Sequence, residues 1–184
     1  MVGKSSLTYR FINYNAPEEH DPTIEDKFLT VVDIDKKSVT VNLLDTAGQD
    51  DYQSLIDDWI MKNDGFILVF AINERQSFTD LDKRKAKIDI IKKKAKVPIV
   101  LVGNKMDMKH ERKVSQKEAE EKAKLWGAIY IEVSAKTDEN CKTPFIECAK
   151  MILKNNQPQQ QTPITNKQSS NTVNVKSNSC CTIF

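Results

Sequence analysis

The chain of 184 residues lacks several features that would place it in common classes. No apolar run approaches the ~20 residues of a membrane-spanning helix, and nothing at its start reads as a signal peptide. A membrane, if met, is met from outside the bilayer. The four cysteines, Cys141, Cys148, Cys180 and Cys181, and the two histidines, His20 and His110, have no spacing that makes a zinc ligand set. A reduced, cytosolic setting is expected. The 28 Lys and Arg against 26 acidic residues leave a net charge of +2, too little to bind nucleic acid by bulk electrostatics. No nucleic-acid partner is expected, and no internal repeat is visible. The length suits one globular domain and a tail.

What is present has a regular order. Residues 28–34 and 38–44 are β-rich and separated by Asp35-Lys36-Lys37, which reads as a hairpin. Three short apolar runs follow at 66–70, 99–102 and 129–133, each succeeded by polar residues and a helical pattern. Such alternation implies a mostly parallel sheet with helices on both faces, an α/β doubly wound architecture. Helices are expected at about 4–13, 53–62, 75–96, 115–127 and 140–154, with Ser115 and Glu118 forming a capping box. The basic residues from Lys83 to Lys96 read as a solvated helix face, with Ile88 and Ile91 turned inward. Cys148 reads as a small core residue and Trp126 as packing at a helix end. After a domain at 1–154, the composition of 155–180 shifts to Asn, Gln, Ser, Thr and Pro, which reads as a disordered linker.

Four loops carry chemistry. Met1-Val2-Gly3-Lys4-Ser5-Ser6 ends like G-x-x-x-x-G-K-[ST], in which backbone N–H groups cradle phosphates, the lysine reaches the terminal phosphates and a hydroxyl, here Ser5, binds Mg²⁺. Asp45-Thr46-Ala47-Gly48-Gln49 follows the hairpin's second strand; Asp45 is placed to hold the water shell of Mg²⁺, and the Gly48 N–H to sense a γ-phosphate. Asn104-Lys105-x-Asp107 is the sharpest signal. Asp107 can accept two hydrogen bonds from the N1–H and N2–H₂ edge of guanine, a donor pair that adenine lacks, and facing the wrong base would cost on the order of several kcal/mol. Asn104 and Lys105 would brace neighbouring loops and cover the base, while Ser134-Ala135-Lys136 offers a backbone N–H to guanine O6. Singly, Gly-Lys-Ser is an ordinary helix start and Asp45 a turn residue. As a set at strand ends, where open α/β sheets bind ligands, they read as one site.

Together, from Met1 to about Lys154, these motifs resemble the Ras family of small GTPases in order and spacing. The resemblance implies a P-loop NTPase-type fold, GTP and GDP with Mg²⁺, and slow GTP hydrolysis that switches effector binding. It implies that Gly3, Lys4, Ser5 and Ser6 bind phosphate. It also implies a first switch and effector region at His20, Asp21, Pro22, Thr23, Ile24, Glu25, Asp26, Lys27 and Phe28. Thr23 would close on Mg²⁺ and the γ-phosphate. Asp45 to Tyr52 would be the second switch, with Gln49 the catalytic residue that orients the attacking water. The implied partners are effector proteins, exchange factors and GTPase-activating proteins, met as a monomer. The chain departs from the family at Ala16, where an aromatic residue usually stacks on guanine, although Tyr14 lies two residues earlier. It departs again at His20, where tyrosine is common. Against the family pattern the sequence begins inside the phosphate loop, so the first strand is expected to be missing from the interior of the sheet.

Cys181-Thr182-Ile183-Phe184 is a C-a-a-X ending whose Phe points to a geranylgeranyl anchor. One lipid holds weakly, and between 155 and 180 only Lys167 and Lys176 add positive charge, so Cys180 is the candidate for a second lipid, by palmitoylation. The expected place is the cytoplasmic side of the cell membrane. The rival reading is a non-catalytic Ras-like fragment, or an incomplete gene model, that cannot hold nucleotide.

Overall fold

A computed structural model gives the fold over residues 1–13, 25–46, 53–93, 96–156 and 178–184. Helix α1 (Lys4–Phe11) comes first, followed by strands β1 (Glu25–Ile34) and β2 (Lys37–Thr46), which pair antiparallel with Ile34 opposite Lys37. Because Lys37 joins the strand, the loop is only Asp35-Lys36. Both residues have positive φ, 49° and 63°, the left-handed pair whose twist matches that of the flanking strands.

Helix α2 (Gln53–Lys62) leads to β3 (Gly65–Ala71), α3 (Arg75–Ile91), β4 (Ile99–Asn104), a 3₁₀ helix at Met106–Glu111, α4 (Gln116–Trp126), β5 (Ile129–Glu132) and α5 (Thr143–Asn156). A last strand, β6 (Asn178–Ile183), completes a sheet of order β1-β2-β6-β3-β4-β5. β6 lies inside it, parallel to both neighbours, with Cys181 opposite Leu43 of β2 and Ile183 opposite Ile67 of β3. The interior place expected to lack a strand is therefore filled by residues read from sequence as the end of a linker and a lipidation motif.

The hydrophobic pattern explains the two layers. Successive side chains of a strand leave on opposite faces. Phe66, Leu68 and Phe70 of β3 accordingly join Ile56, Phe78, Ile88 and Phe184 in one core cluster with α2, α3 and α4. Ile67 and Val69 join Leu7, Phe11, Phe145, Cys148 and Ile183 in the other, with α1 and α5.

Element ends differ from the sequence reading for local reasons. Helix α3 stops at Ile91 because Lys93 turns left-handed (φ 52°) and the Lys92 N–H closes on Ile88 O. Helix α5 begins only at Thr143, after a turn in which Asp138 and Asn140 are left-handed, and runs to Asn156. The capping box at α4 is half formed: Ser115 Oγ accepts the Glu118 N–H at 3.2 Å, but the Glu118 carboxylate turns to Arg75, with Nη1 2.6 Å from Oε2. Ile88 and Cys148 are fully buried, and Ile91 and Trp126 are partly buried against the core.

Candidate functional site

Strands β2, β4 and β5 are parallel members of one sheet, and their C-terminal ends meet the start of α1 at one edge. β4 ends on Asn104, a buried amide that ties three segments together. Its Nδ2 donates to Val2 O at 2.8 Å, and its Oδ1 accepts the N–H groups of Lys105 at 2.8 Å and Ala135 at 3.1 Å. The next residue, Lys105, is left-handed (φ 66°) and turns the chain into the 3₁₀ helix that carries Asp107.

Asp107 is held from the far side. Its Oδ1 accepts the Ser134 hydroxyl at 2.6 Å, and Ser134 Oγ in turn accepts the Thr137 N–H at 3.1 Å. Ser134 and Glu139 exchange both backbone bonds, at 3.0 and 3.1 Å, which closes the turn after β5. Arg10 of α1 reaches over this turn, donating from Nε to Ala135 O at 3.0 Å and from Nη2 to Lys136 O at 3.3 Å. The carboxylate of Asp107 thus stands oriented at the wall of a cavity of about 670 Å³, lined also by Gly3, Ser6, Arg10, Asn104 and Lys136.

At the other end of this cavity the chain comes close as bare backbone. Gly3 has φ 86°, and a Cβ there would stand 2.6 Å from Asn104 Nδ2, so only glycine fits. The first intrahelical bond of α1 runs from the Leu7 N–H to Gly3 O, and the preceding N–H groups point out of the helix N-terminus, where anions are stabilised. Asp45, fully buried at the end of β2, lies in the field of Lys4. Burial holds the Lys4 ammonium below its usual 10.5, Asp45 opposes that shift and Arg84 adds to it. A buried carboxylate, a lysine and a helix N-terminus suit a chain of phosphates with a divalent cation: the lysine faces phosphate charge, and Asp45 and the Ser5 hydroxyl are hard oxygen donors.

Most residues expected from sequence come together. Gly3, Ser6, Asn104, Lys105, Asp107, Ala135 and Lys136 line the cavity, Ser134 backs it, and Lys4 and Asp45 lie within each other's field. In the Ser134-Ala135-Lys136 segment, expected to offer a backbone N–H to guanine O6, the Ala135 N–H donates to Asn104 and the Ser134 N–H to Glu139 O. Thr23, Gly48, Gln49, Tyr14, Ala16 and residues 20–24 of the effector region lie outside the described residues. Glu25, Asp26, Lys27 and Phe28 open β1. The Glu25 carboxyl is held below its usual 4.5, first by Lys27 at 2.5 Å and then by the Trp59 indole N–H at 2.9 Å. Cys180 and Cys181 lie in β6, away from the cavity, with Cys181 fully buried. Sequence reasoning missed Tyr9, Arg10 and Met108 as lining residues. The spacing of Gly3, Ser6 and Arg10, i, i+3 and i+7 on α1, puts them on one helix face and could have found the arginine.

Comparison with known proteins places this geometry. Residues 1–154 match the Ras family. The chain is 38% identical over 153 residues to Protein ras-1 of Neurospora crassa, covering 83% of this chain and 72% of that protein. It is 34% identical over 180 residues to the Ras-related protein O-RAL of Diplobatis ommata, covering 97% of this chain and 87% of that protein.

Proposed function

Because this chain belongs to the Ras family and is in general terms a small GTPase, we propose that it is a guanine-nucleotide switch that binds GTP and GDP, hydrolyses GTP slowly and signals to effectors at a membrane. The observation that carries the reading is Asn104. One buried amide bonds the backbone beside Gly3, the residue before Asp107's helix, and the turn that holds Asp107 through Ser134. The backbone beside Gly3 and the turns that carry and hold Asp107 are thereby tied together without a ligand, which supports the reading because a pre-ordered site lowers the ordering cost of binding.

Each residue then has a task. Asp107 accepts from N1–H and N2–H₂ of guanine, Lys105 covers the base, and the Ser134–Lys136 turn supports both. Gly3 to Ser6 and the α1 N-terminus take the phosphates. Ser5 and Thr23 would hold Mg²⁺, with Asp45 acting through its water shell; the ion supplies charge that offsets the phosphate oxygens. Gln49 orients the attacking water, and residues 20–28 present the nucleotide state to effectors, with exchange factors and GTPase-activating proteins as regulators. The C-a-a-X ending at Cys181, with Cys180, supplies lipid attachment.

Competition against labelled GTP tests the reading. GTP and GDP should displace the label well and ATP poorly, and Asp107→Asn should shift preference to xanthine nucleotides, because an amide donates where the carboxylate accepted. Equal displacement by ATP and GTP would sink it, and no binding by either would favour the rival, a Ras-like fragment without nucleotide.

A further inference from the structure

We infer that the C-terminal segment has two exclusive states: seated as the interior strand β6, where it withdraws Cys181 from all chemistry at its thiol, or released, where Cys181 can carry a lipid. The seat is specific along its length. β6 is in register with β2 from Thr40 opposite Asn178 to Asp45 opposite Ile183, and with β3 from Gly65 opposite Cys181 to Ile67 opposite Ile183. Beyond the strand the Phe184 N–H donates to Ile67 O, Phe184 O accepts the Val69 N–H, each at 2.8 Å, and Ile183 O accepts the Thr46 hydroxyl at 2.7 Å. The side chains alternate into both cores. Cys181 and Ile183 enter the cluster of Leu7, Phe145 and Ile152, while Phe184 enters the opposite one, 6.1 Å from the Phe66 ring and under the Arg84 guanidinium at 5.4 Å.

Cys181 has no exposed surface, and its Sγ lies 3.5 Å from Cys148 Sγ of α5. That contact and then burial hold its thiol well above the usual 9.0, away from the reactive thiolate. Attachment of an isoprenyl group from its diphosphate would form a C–S bond, release diphosphate and remove the thiol proton. A long chain on that sulfur would occupy the space now filled by Cys148 and its neighbours, so it forms only after the strand leaves. Interior strands packed this densely have no room for added groups. The seated state rests on strand pairing and burial, and the released, lipid-bearing state on the lipid attachment proposed above.

Native alkylation of the full chain with N-ethylmaleimide, followed by peptide mass spectrometry, tests this against a synthetic peptide of residues 178–184. Cys181 should react about a hundredfold or more slowly than in the peptide, the protection expected of a segment that must open first. Ile183→Asp places a carboxylate in the apolar cluster and should raise the Cys181 rate to that of the peptide, while Cys141, buried at the Ser134 turn, stays protected. Reaction of the native Cys181 at the peptide's rate overturns the inference, as does an Ile183→Asp chain in which Cys181 stays protected. Should Ile183→Asp also expose Cys141 by unfolding the chain, Thr182→Val decides. Thr182 Oγ1 is buried without a hydrogen-bond partner, so the isosteric valine should tighten the seat and slow Cys181 further. An unchanged or faster rate in that variant counts against the inference.

Discussion

The two halves of the sheet are held by different kinds of contact. Strands β3, β4 and β5 are consecutive in the chain and joined by right-sized crossovers, and β3 and β4 are buried along their whole length. The other half, β1 and β2, is a local hairpin whose strand pairing to β3, among the described residues, runs through β6, whose Ile183 O bonds a threonine 137 residues away. In the first half each element agrees with its neighbours in sequence. The second half closes through a segment whose composition gives no hint of burial. The difference teaches that a strong local pattern determines a strand, whereas an interior place in a sheet can be claimed by any segment that alternates suitably and reaches it.

The largest break in this comparison comes from deleting residues 181–184. The deletion removes three fully buried residues, Cys181, Thr182 and Ile183, the buried Phe184 and the backbone bonds on either side. At about 1.5–3 kcal/mol per large apolar side chain and about 0.5–1.5 per hydrogen bond, the loss approaches a typical total stability of ~5–15 kcal/mol. Thermal unfolding by circular dichroism should therefore lose its cooperative transition. If the truncated chain melts as the full one does, the two halves do not depend on β6.

Asn104→Ala breaks the site instead of the sheet. It leaves Val2 O and the N–H groups of Lys105 and Ala135 without their partner, at about 1–3 kcal/mol for each one that water cannot reach. Denaturant midpoints should fall by about 2–4 kcal/mol equivalent, and GTP affinity by more than stability alone explains, because both ends of the cavity lose their common anchor. Unchanged GTP binding in a folded variant would show that the two ends are positioned independently.

How much of this was legible in sequence follows the same division. The hairpin, the three apolar strands, five helices, and the meeting of Asn104 and Asp107 at one cavity could be read because each rests on a local period or motif. Arg10's hold on the Ala135 and Lys136 carbonyls was not, since its partners lie 125 and 126 residues away. Nor was β6. Ser179-Cys180-Cys181-Thr182-Ile183-Phe184 is too short and too polar to announce a strand beside the stronger lipidation motif, and a parallel interior place requires contacts with two remote strands at once. The 3₁₀ helix at Met106–Glu111 escaped because its left-handed start falls on a lysine, not a glycine.

A smaller effect sharpens the comparison inside the local half. Glu132 of β5 accepts both Arg112 guanidinium nitrogens, at 2.7 and 2.8 Å, and the Tyr130 hydroxyl at 2.7 Å. Burial alone would raise its carboxyl, but the Arg112 bonds and then Tyr130 outweigh it and hold the group below 4.5. A carboxylate depressed in the folded state adds stability above its unfolded pKa, and that stability is lost as pH falls through the lower folded value. Glu132→Gln should therefore cost about 1–3 kcal/mol at neutral pH and flatten the loss of stability below pH ~4.5. A variant with the native acid limb would assign that limb to other carboxylates.

The smallest expected effect isolates a contact of purely local origin. Ser115 caps α4 by accepting the Glu118 N–H, while the Glu118 carboxylate, which a full capping box would return to the Ser115 N–H, is engaged with Arg75. The two halves of the box are thus separable here. Ser115→Ala should cost about 0.5–2 kcal/mol, the usual worth of a lost cap, because it leaves a first-turn N–H without its acceptor. Glu118→Gln should cost less, since its guanidinium partner is solvent-exposed and an amide still accepts one hydrogen bond. Chemical denaturation of both single variants and the double variant measures the separation. Additive losses within about 0.5 kcal/mol would show that the cap and the ion pair act independently, as expected for contacts with no shared partner atom. A double variant that loses no more than Ser115→Ala alone would mean that the Arg75 contact depends on the cap.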